Sequence, residues 1–227
     1  MYRSNARVSI FENDSHYKAL STRWLETCES IPMRILSYCV MPNHWHMVLW
    51  PERDGDLSRF VAWLTLTHTQ RWHAHRHSAG SGHLYQGRFK SFVVEENEHL
   101  LAVCRYVERN ALRAKLVDRA EDWRWCSLSR REAGDSKVNA LLSGWPMRRP
   151  ENWLALVNSP ETNQELDDLR NSVNRGQPYG SDSWLERIVR QLGLSSTMRA
   201  RGRPRQITIR KVPLKKFHGT FTLEKGS

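Results

Sequence analysis

Residues 34–50 constrain the chain most. Arg34 to Met41 is a β-prone run in which Ile35, Ser37 and Cys39 alternate with Leu36, Tyr38 and Val40. Pro42-Asn43 is a turn signal, and His44 to Trp50 is a second run of strand length. The two read as a β-hairpin. A lone hairpin is marginal in water, so other elements must cover it. Candidates flank it on both sides. Asn13 or Asp14 can cap a helix carrying Tyr17, Leu20, Trp24, Leu25 and Cys28 at helical spacing, which Pro32 ends. Asp56 can cap a long helix with Leu57, Phe60, Val61 and Leu64 on its apolar face, running to about His77. Phe89 to Glu95 reads as a further strand. Asn97 can cap a helix carrying Leu100, Leu101, Val103, Cys104 and Val107.

The order α-β-β-α-β-α with antiparallel strands predicts an α+β fold, a ferredoxin-like antiparallel sheet with packed helices. That layout needs a strand before the first helix, and residues 1–11 can supply only a short one, or none. The expected domain spans 1–141. Residues 142–198 read as a small helical C-terminal region. In it Ser159-Pro160-Glu161 starts an acidic helix to about Val173, and Ser181 or Asp182 opens another. Residues 199–227 are a basic tail.

Charge supports that division. The chain carries 35 Lys plus Arg against 24 Asp plus Glu. Residues 199–227 hold nine basic residues and one acid, a net +8, which leaves 26 basic and 23 acidic residues, or +3, in 1–198. A concentrated cationic excess points to a polyanion, most often nucleic acid. At 39% apolar residues a core can form, so wholesale disorder is excluded. No apolar run approaches the roughly 18–20 residues of a membrane helix, and Met1 to Ile10 lacks a signal-peptide core. Cys28, Cys39, Cys104 and Cys126 are irregularly spaced, unlike a disulfide framework or zinc finger. A cytoplasmic, nucleoid-associated protein is expected.

Three constellations carry chemistry. His44-Trp45-His46 lies on a predicted strand, so both imidazoles share one face while Trp45 points to the other. Such a pair can grip a divalent cation; two polar strand residues are the plainer reading. Tyr106 and Asn110, four residues apart, share one face of the helix that also carries Arg105, Arg109 and Arg113. A tyrosine half-buried at a helix–sheet seam is the plainer reading here. His73, His75 and His77 spread over different faces of a helix end, better read as solvated than as a metal site.

Taken together the motifs are far more specific. Met41-Pro-Asn-His-Trp-His-Met-Val-Leu-Trp50, followed by Arg105-Tyr-Val-Glu-Arg-Asn110, resembles the single-tyrosine HUH transposases, and within them the REP-associated tyrosine transposases. Asp54-Gly-Asp-Leu-Ser-Arg59, Tyr85-Gln-Gly-Arg-Phe-Lys90, Leu112-Arg-Ala114 and Glu121-Asp-Trp-Arg-Trp125 extend the likeness over roughly residues 4–130. The resemblance implies that Tyr106 is a nucleophile and that His44, His46 and Asn110 are ligands of Mg²⁺ or Mn²⁺. It implies a metal-dependent endonuclease and strand transferase for single-stranded and hairpin DNA, working through a covalent 5′-phosphotyrosine. Ala111 and Lys115 depart from the family pattern, which commonly has Pro and Gly there.

Arg88, Lys90, Arg105, Arg109 and Arg113 are the expected phosphate contacts of the folded part. Arg201, Arg203 and Arg205 lie in a segment resembling an AT-hook core suited to a narrow minor groove. A monomer is expected, with a dimer as the alternative. Acidification below about pH 6 should release metal as the histidines take protons. Three rival readings are a non-catalytic hairpin-binding protein of the same fold, a hydrolytic nuclease in which Tyr106 is structural, and a generic RNA-binding protein.

Overall fold

A computed structural model of the chain describes residues 1–5, 8–78, 80, 82–134 and 141–199. In chain order the elements are β1 (Tyr2–Arg3), α1 (Asp14–Ser30), β2 (Met33–Met41), β3 (His44–Pro51), α2 (Asp56–His75), α3 (Glu98–Glu108) and α4 (Asn110–Arg113). They are followed by a 3₁₀ turn (Ala120–Asp122) and by α5 (Ser127–Ala133), α6 (Trp153–Asn158), α7 (Asn163–Arg175), α8 (Asp182–Gln191) and α9 (Ser195–Met198).

The hairpin and the helix starts follow the local chemistry. Asn13 and Asn97 accept from the backbone N–H of His16 and His99 and so cap α1 and α3. Gly55, at φ 83°, occupies the N-cap of α2; Asp56 is instead the first helical residue, its carboxylate accepting from the Arg53 N–H. Thr162 and Glu165 form a reciprocal capping box, so α7 begins at Asn163 rather than at Pro160, and Glu161 stays outside the helix.

The sheet runs in the order β1-β3-β2, every pair antiparallel. This is the ferredoxin-like order with its fourth strand reduced. The expected strand over 89–95 is not there. Instead residues 84–90 run antiparallel beside residues 1–5. Asn5 donates to Leu84, Gln86 donates to Arg3, and Met1 and Lys90 exchange bonds of 2.9 and 3.0 Å. The pairing is too irregular for a strand beyond an isolated Ser4–Tyr85 bridge. Residues 93–95 use their backbone groups on Tyr179, which draws them away from the sheet edge.

Strand β2 departs from the simple alternation. Ile35 pairs with Leu49, whereas Ser37 pairs with Val48, so a bulge falls between them. The bulge moves Ile35 to the face of Tyr38 and Val40, and Leu36 to that of Cys39 and Met41. One core then forms on each face. Tyr17, Leu20 and Trp24 of α1 and Phe60, Val61 and Leu64 of α2 cover Trp45 and Tyr38. On the other face Leu100, Val103, Cys104 and Val107 of α3 pack with Leu128, Trp153, Val157 and Leu169. The boundary expected near residue 141 therefore does not separate two cores, because α6 and α7 bury apolar side chains against α3. The four cysteines are free thiols.

Glu108 sits in the second core, fully buried. Ser127 Oγ and Trp153 Nε1 donate to its carboxyl at 2.5 and 2.8 Å, and Ser37 Oγ lies at 3.3 Å. Burial pushes the carboxyl above its ordinary range. The group ties β2, α3, α5 and α6 together. Glu108→Ala would leave these donors facing apolar walls and should cost about 3 kcal/mol in denaturant unfolding. Glu108→Gln, which keeps an acceptor without charge, should cost less than half as much. Equal costs would refute the bonding account.

Candidate active site

The pleat sorts the histidine strand as the alternation requires. Trp45 is 2% exposed and lies in the α1–α2 core, where its Nε1 donates to the Tyr85 hydroxyl at 3.3 Å. His44 and His46 point to the opposite face, their ring centroids 5.1 Å apart and their planes at 76°. Helix α3 packs on that face and brings the Tyr106 ring to 5.9 Å from His46, edge-on at 78°. A strand pair and a helix residue sixty positions later thus meet across one seam.

Second contacts orient the imidazoles. Asn43 Oδ1 lies 2.7 Å from His44 Nδ1. With the amide oxygen accepting, Nδ1 carries the proton and Nε2 keeps its lone pair. The Pro42 carbonyl accepts from Ile10 and Phe11, and the Asn43 carbonyl from Ser4, which pins the turn beside the histidines. Arg3 pairs directly opposite His44 in the β1–β3 register. Neither Asn43 nor Arg3 was expected at the site. Asn43 had been assigned only a turn role, and nothing local in the sequence sets Arg3 opposite His44.

Burial, with Arg3 as the next cause and the amino terminus and Arg113 adding to it, lowers the His44 imidazole to about 4. His46 is lowered well below 6.5, again first by burial. His68, buried between Phe11 and Tyr85, is lowered by burial to about 4. Both strand histidines are therefore neutral over the ordinary pH range. The stability consequence has a definite sign. Between pH 6.5 and 4 the unfolded chain binds protons at these three positions and the native state does not, so stability falls as pH falls. Glu108 acts in the opposite sense and is outnumbered. The urea midpoint of metal-free protein should drop steadily from pH 7 to pH 4.5. A flat midpoint would contradict the burial of these rings.

The neutral imidazole pair fits a divalent cation of borderline character, and a harder one would need oxygen donors beside it. Among the described residues no three His, Cys, Asp or Glu side chains gather so as to hold a metal. A third protein donor would therefore be of another type, as Asn110 is. It is 7% exposed and opens α4, just past the interruption of the helix at Arg109. Tyr106 and Asn110 thus straddle a break instead of sharing one continuous helix. There the Arg113 side chain reaches back to the Tyr106 carbonyl, with Nη2 at 3.2 Å. Lys115 closes this segment at φ 57°, a left-handed position that glycine adopts most easily.

The arginines of this segment face inward. Arg105 donates to the carbonyls of Leu156, Ser159 and Pro160, and Arg109 to those of Val157 and Asn158. Arg113 pairs with Glu161 at 2.7 Å. The sequence reading had assigned all three to phosphate contact; here their donors hold the α6–α7 connection, whose bare carbonyls need partners. Arg88 and Lys90 are exposed. Arg88 lines a groove of about 780 Å³ between α2 and residues 83–91, which the imidazoles do not line. Arg201, Arg203 and Arg205 lie outside the described residues. His73 bonds Ser78 Oγ and the Gly82 carbonyl.

The family model described as "Transposase IS200 like" matches residues 1–110, a span that contains His44, His46, Tyr106 and Asn110. Residues 1–110 are similar to the IS200-like transposases. A Haemophilus influenzae protein described as a REP-associated tyrosine transposase is 23% identical over 128 residues, covering 53% of this chain and 70% of the relative. The solved structure of a REP-associated tyrosine transposase bound to a REP hairpin aligns with a TM-score of 0.49 at 18% identity. That alignment covers 66% of this chain and 85% of the other. That similarity supports a DNA-processing enzyme of the transposase class. Among the described residues no helix is long and apolar enough to cross a membrane.

Proposed function

We propose that this protein acts as a transposase of the IS200-like class, cutting and rejoining single-stranded DNA next to a hairpin by transesterification at Tyr106. The observation that carries the reading is the convergence of His44, His46 and Tyr106 across one strand–helix seam. The phenolic oxygen attacks the scissile phosphorus in line. The O–P bond to Tyr106 forms, the bond to the 3′ oxygen breaks, and the phenol proton leaves while the departing oxygen takes one up. The 5′-phosphotyrosine keeps the phosphodiester energy, so a later attack by a 3′-hydroxyl regenerates the tyrosine and joins strands without ATP.

His44 and His46 would hold Mg²⁺ or Mn²⁺, with Asn110 as a third donor; such a cation polarises the phosphoryl oxygen. Neutral imidazoles and a buried amide bring no negative charge to the site, and Arg3, opposite His44, makes it attractive to a phosphate. The substrate is hairpin DNA of the REP type, the kind named for the solved relative. With Arg105, Arg109 and Arg113 turned inward, Arg88, Lys90 and the basic tail carry the phosphate contacts, and a strong salt dependence follows. The chain acts as a monomer at the nucleoid.

The test is direct. A 5′-tailed DNA hairpin, labelled at its 3′ end and incubated with the protein and Mn²⁺, should yield an adduct that survives denaturing electrophoresis and is destroyed by protease. Hairpin binding without any adduct would favour the non-catalytic rival, and cleavage without an adduct would favour a hydrolytic nuclease.

A further inference from the structure

The C-terminal region touches the tyrosine through one buried ion pair. Glu161, in the connection between α6 and α7, has a side chain only 4% exposed. Its Oε1 lies 2.7 Å from Arg113 Nη1, and its Oε2 lies 2.9 Å from Arg109 Nε, off the N–H direction. Burying a carboxylate costs several kcal/mol unless cations and donors repay it, so this group is held by its partners and holds them in turn. The two arginines then differ. Arg109 spends its remaining donors on the Val157 and Asn158 carbonyls. Arg113 turns to the tyrosine: its guanidinium carbon stands 4.0 Å from the Tyr106 ring centroid, and Nη2 donates to the Tyr106 carbonyl.

A guanidinium over a ring face is attracted by the ring quadrupole, yet a free arginine stem has many rotamers and would leave that position readily. Beside an incoming phosphate it would also be drawn to the anion. Glu161 opposes both. We propose that Glu161 is a positioning residue for Tyr106: it fixes the Arg113 guanidinium against the phenol ring and so sets where the phenolic oxygen stands before attack. The inference rests on Tyr106 being the nucleophile. Its consequence is that a residue fifty positions beyond the matched family segment completes the site, and that the helical region after residue 150 belongs to the catalytic unit.

The experiment uses the full chain with Glu161→Gln, which keeps shape and removes charge, and Arg113→Lys, which keeps charge and removes the planar fork. Single-turnover adduct formation with the tailed hairpin and Mn²⁺ is measured across protein concentration, separating the saturated rate from half-saturation. The ¹³Cζ resonance of Tyr106 is followed in the same proteins and assigned by its absence in Tyr106→Phe. Both variants should lose about 100-fold in saturated rate, the scale of a misplaced reacting group. Half-saturation should stay within about twofold, and the Tyr106 resonance should move. A parental saturated rate with an unmoved resonance overturns the proposal, as does a loss confined to half-saturation. If Glu161→Gln shows no cooperative thermal transition, Arg113→Lys decides by the same criteria. If the parent chain forms no adduct, the nucleophile reading fails by itself, and the resonance still decides whether Glu161 orders the ring.

Discussion

Tyr106→Phe is expected to abolish the covalent protein–DNA adduct while leaving hairpin affinity within about twofold. The substitution removes one oxygen and keeps the ring. The edge contact with His46 and the guanidinium contact with Arg113 both act on the ring and persist. Tyr106 is half-buried and packs on the edge of the second core, so the apolar contacts survive as well. What disappears is the oxygen proposed to bond phosphorus. Removing a covalent nucleophile outright costs enzymes about 10⁴-fold or more, which takes the adduct below detection on a gel. Affinity should hold because it is set by phosphate contacts made elsewhere. Cleavage that persists in the Phe protein would transfer the chemistry to a hydrolytic route and leave Tyr106 structural.

His44→Ala has the second largest expected effect and tests a different part of the site. His44 is only partly buried and bonds Asn43, so its removal opens little space. The fold should survive with a stability change of about 1 kcal/mol. Loss of one of two imidazole ligands should weaken Mn²⁺ binding, read by electron paramagnetic resonance, and lower the adduct rate by about 100-fold. Hairpin affinity measured without metal should be unchanged. Undiminished Mn²⁺ binding in the Ala protein would remove the imidazoles from the proposed ligand set.

Much of the fold was legible locally. The hairpin, the Asn13 and Asn97 caps and the apolar face of α3 each follow from residues a few positions apart, where periodicity and capping act. The imidazole pair was legible for the same reason, since a two-residue period puts His44 and His46 on one face. Other features depended on distant partners. The Leu36 bulge reverses the face of Ile35 in a run whose alternation looks unbroken. The fourth edge falls at 84–90, five residues before the more strand-like 89–95, because Val93 and Glu95 bond the Tyr179 backbone while residues 84–90 bond residues 1–5.

The amino-acid sequence alone determined the kinds of chemical group and their local grouping: two imidazoles on a strand, a tyrosine on an arginine-rich helix, and a cationic tail. These are short-range properties, written in spacings of two and of three to four residues. Only the tertiary structure decided which cations are spent. Arg105, Arg109 and Arg113 look alike along the helix, yet the α6–α7 connection, some fifty residues on, supplies carbonyls and the buried Glu161 carboxylate that claim them. A guanidinium pairs with whichever acceptor packing brings within about 3 Å, and for residues that far apart in the chain only the assembled core sets that distance.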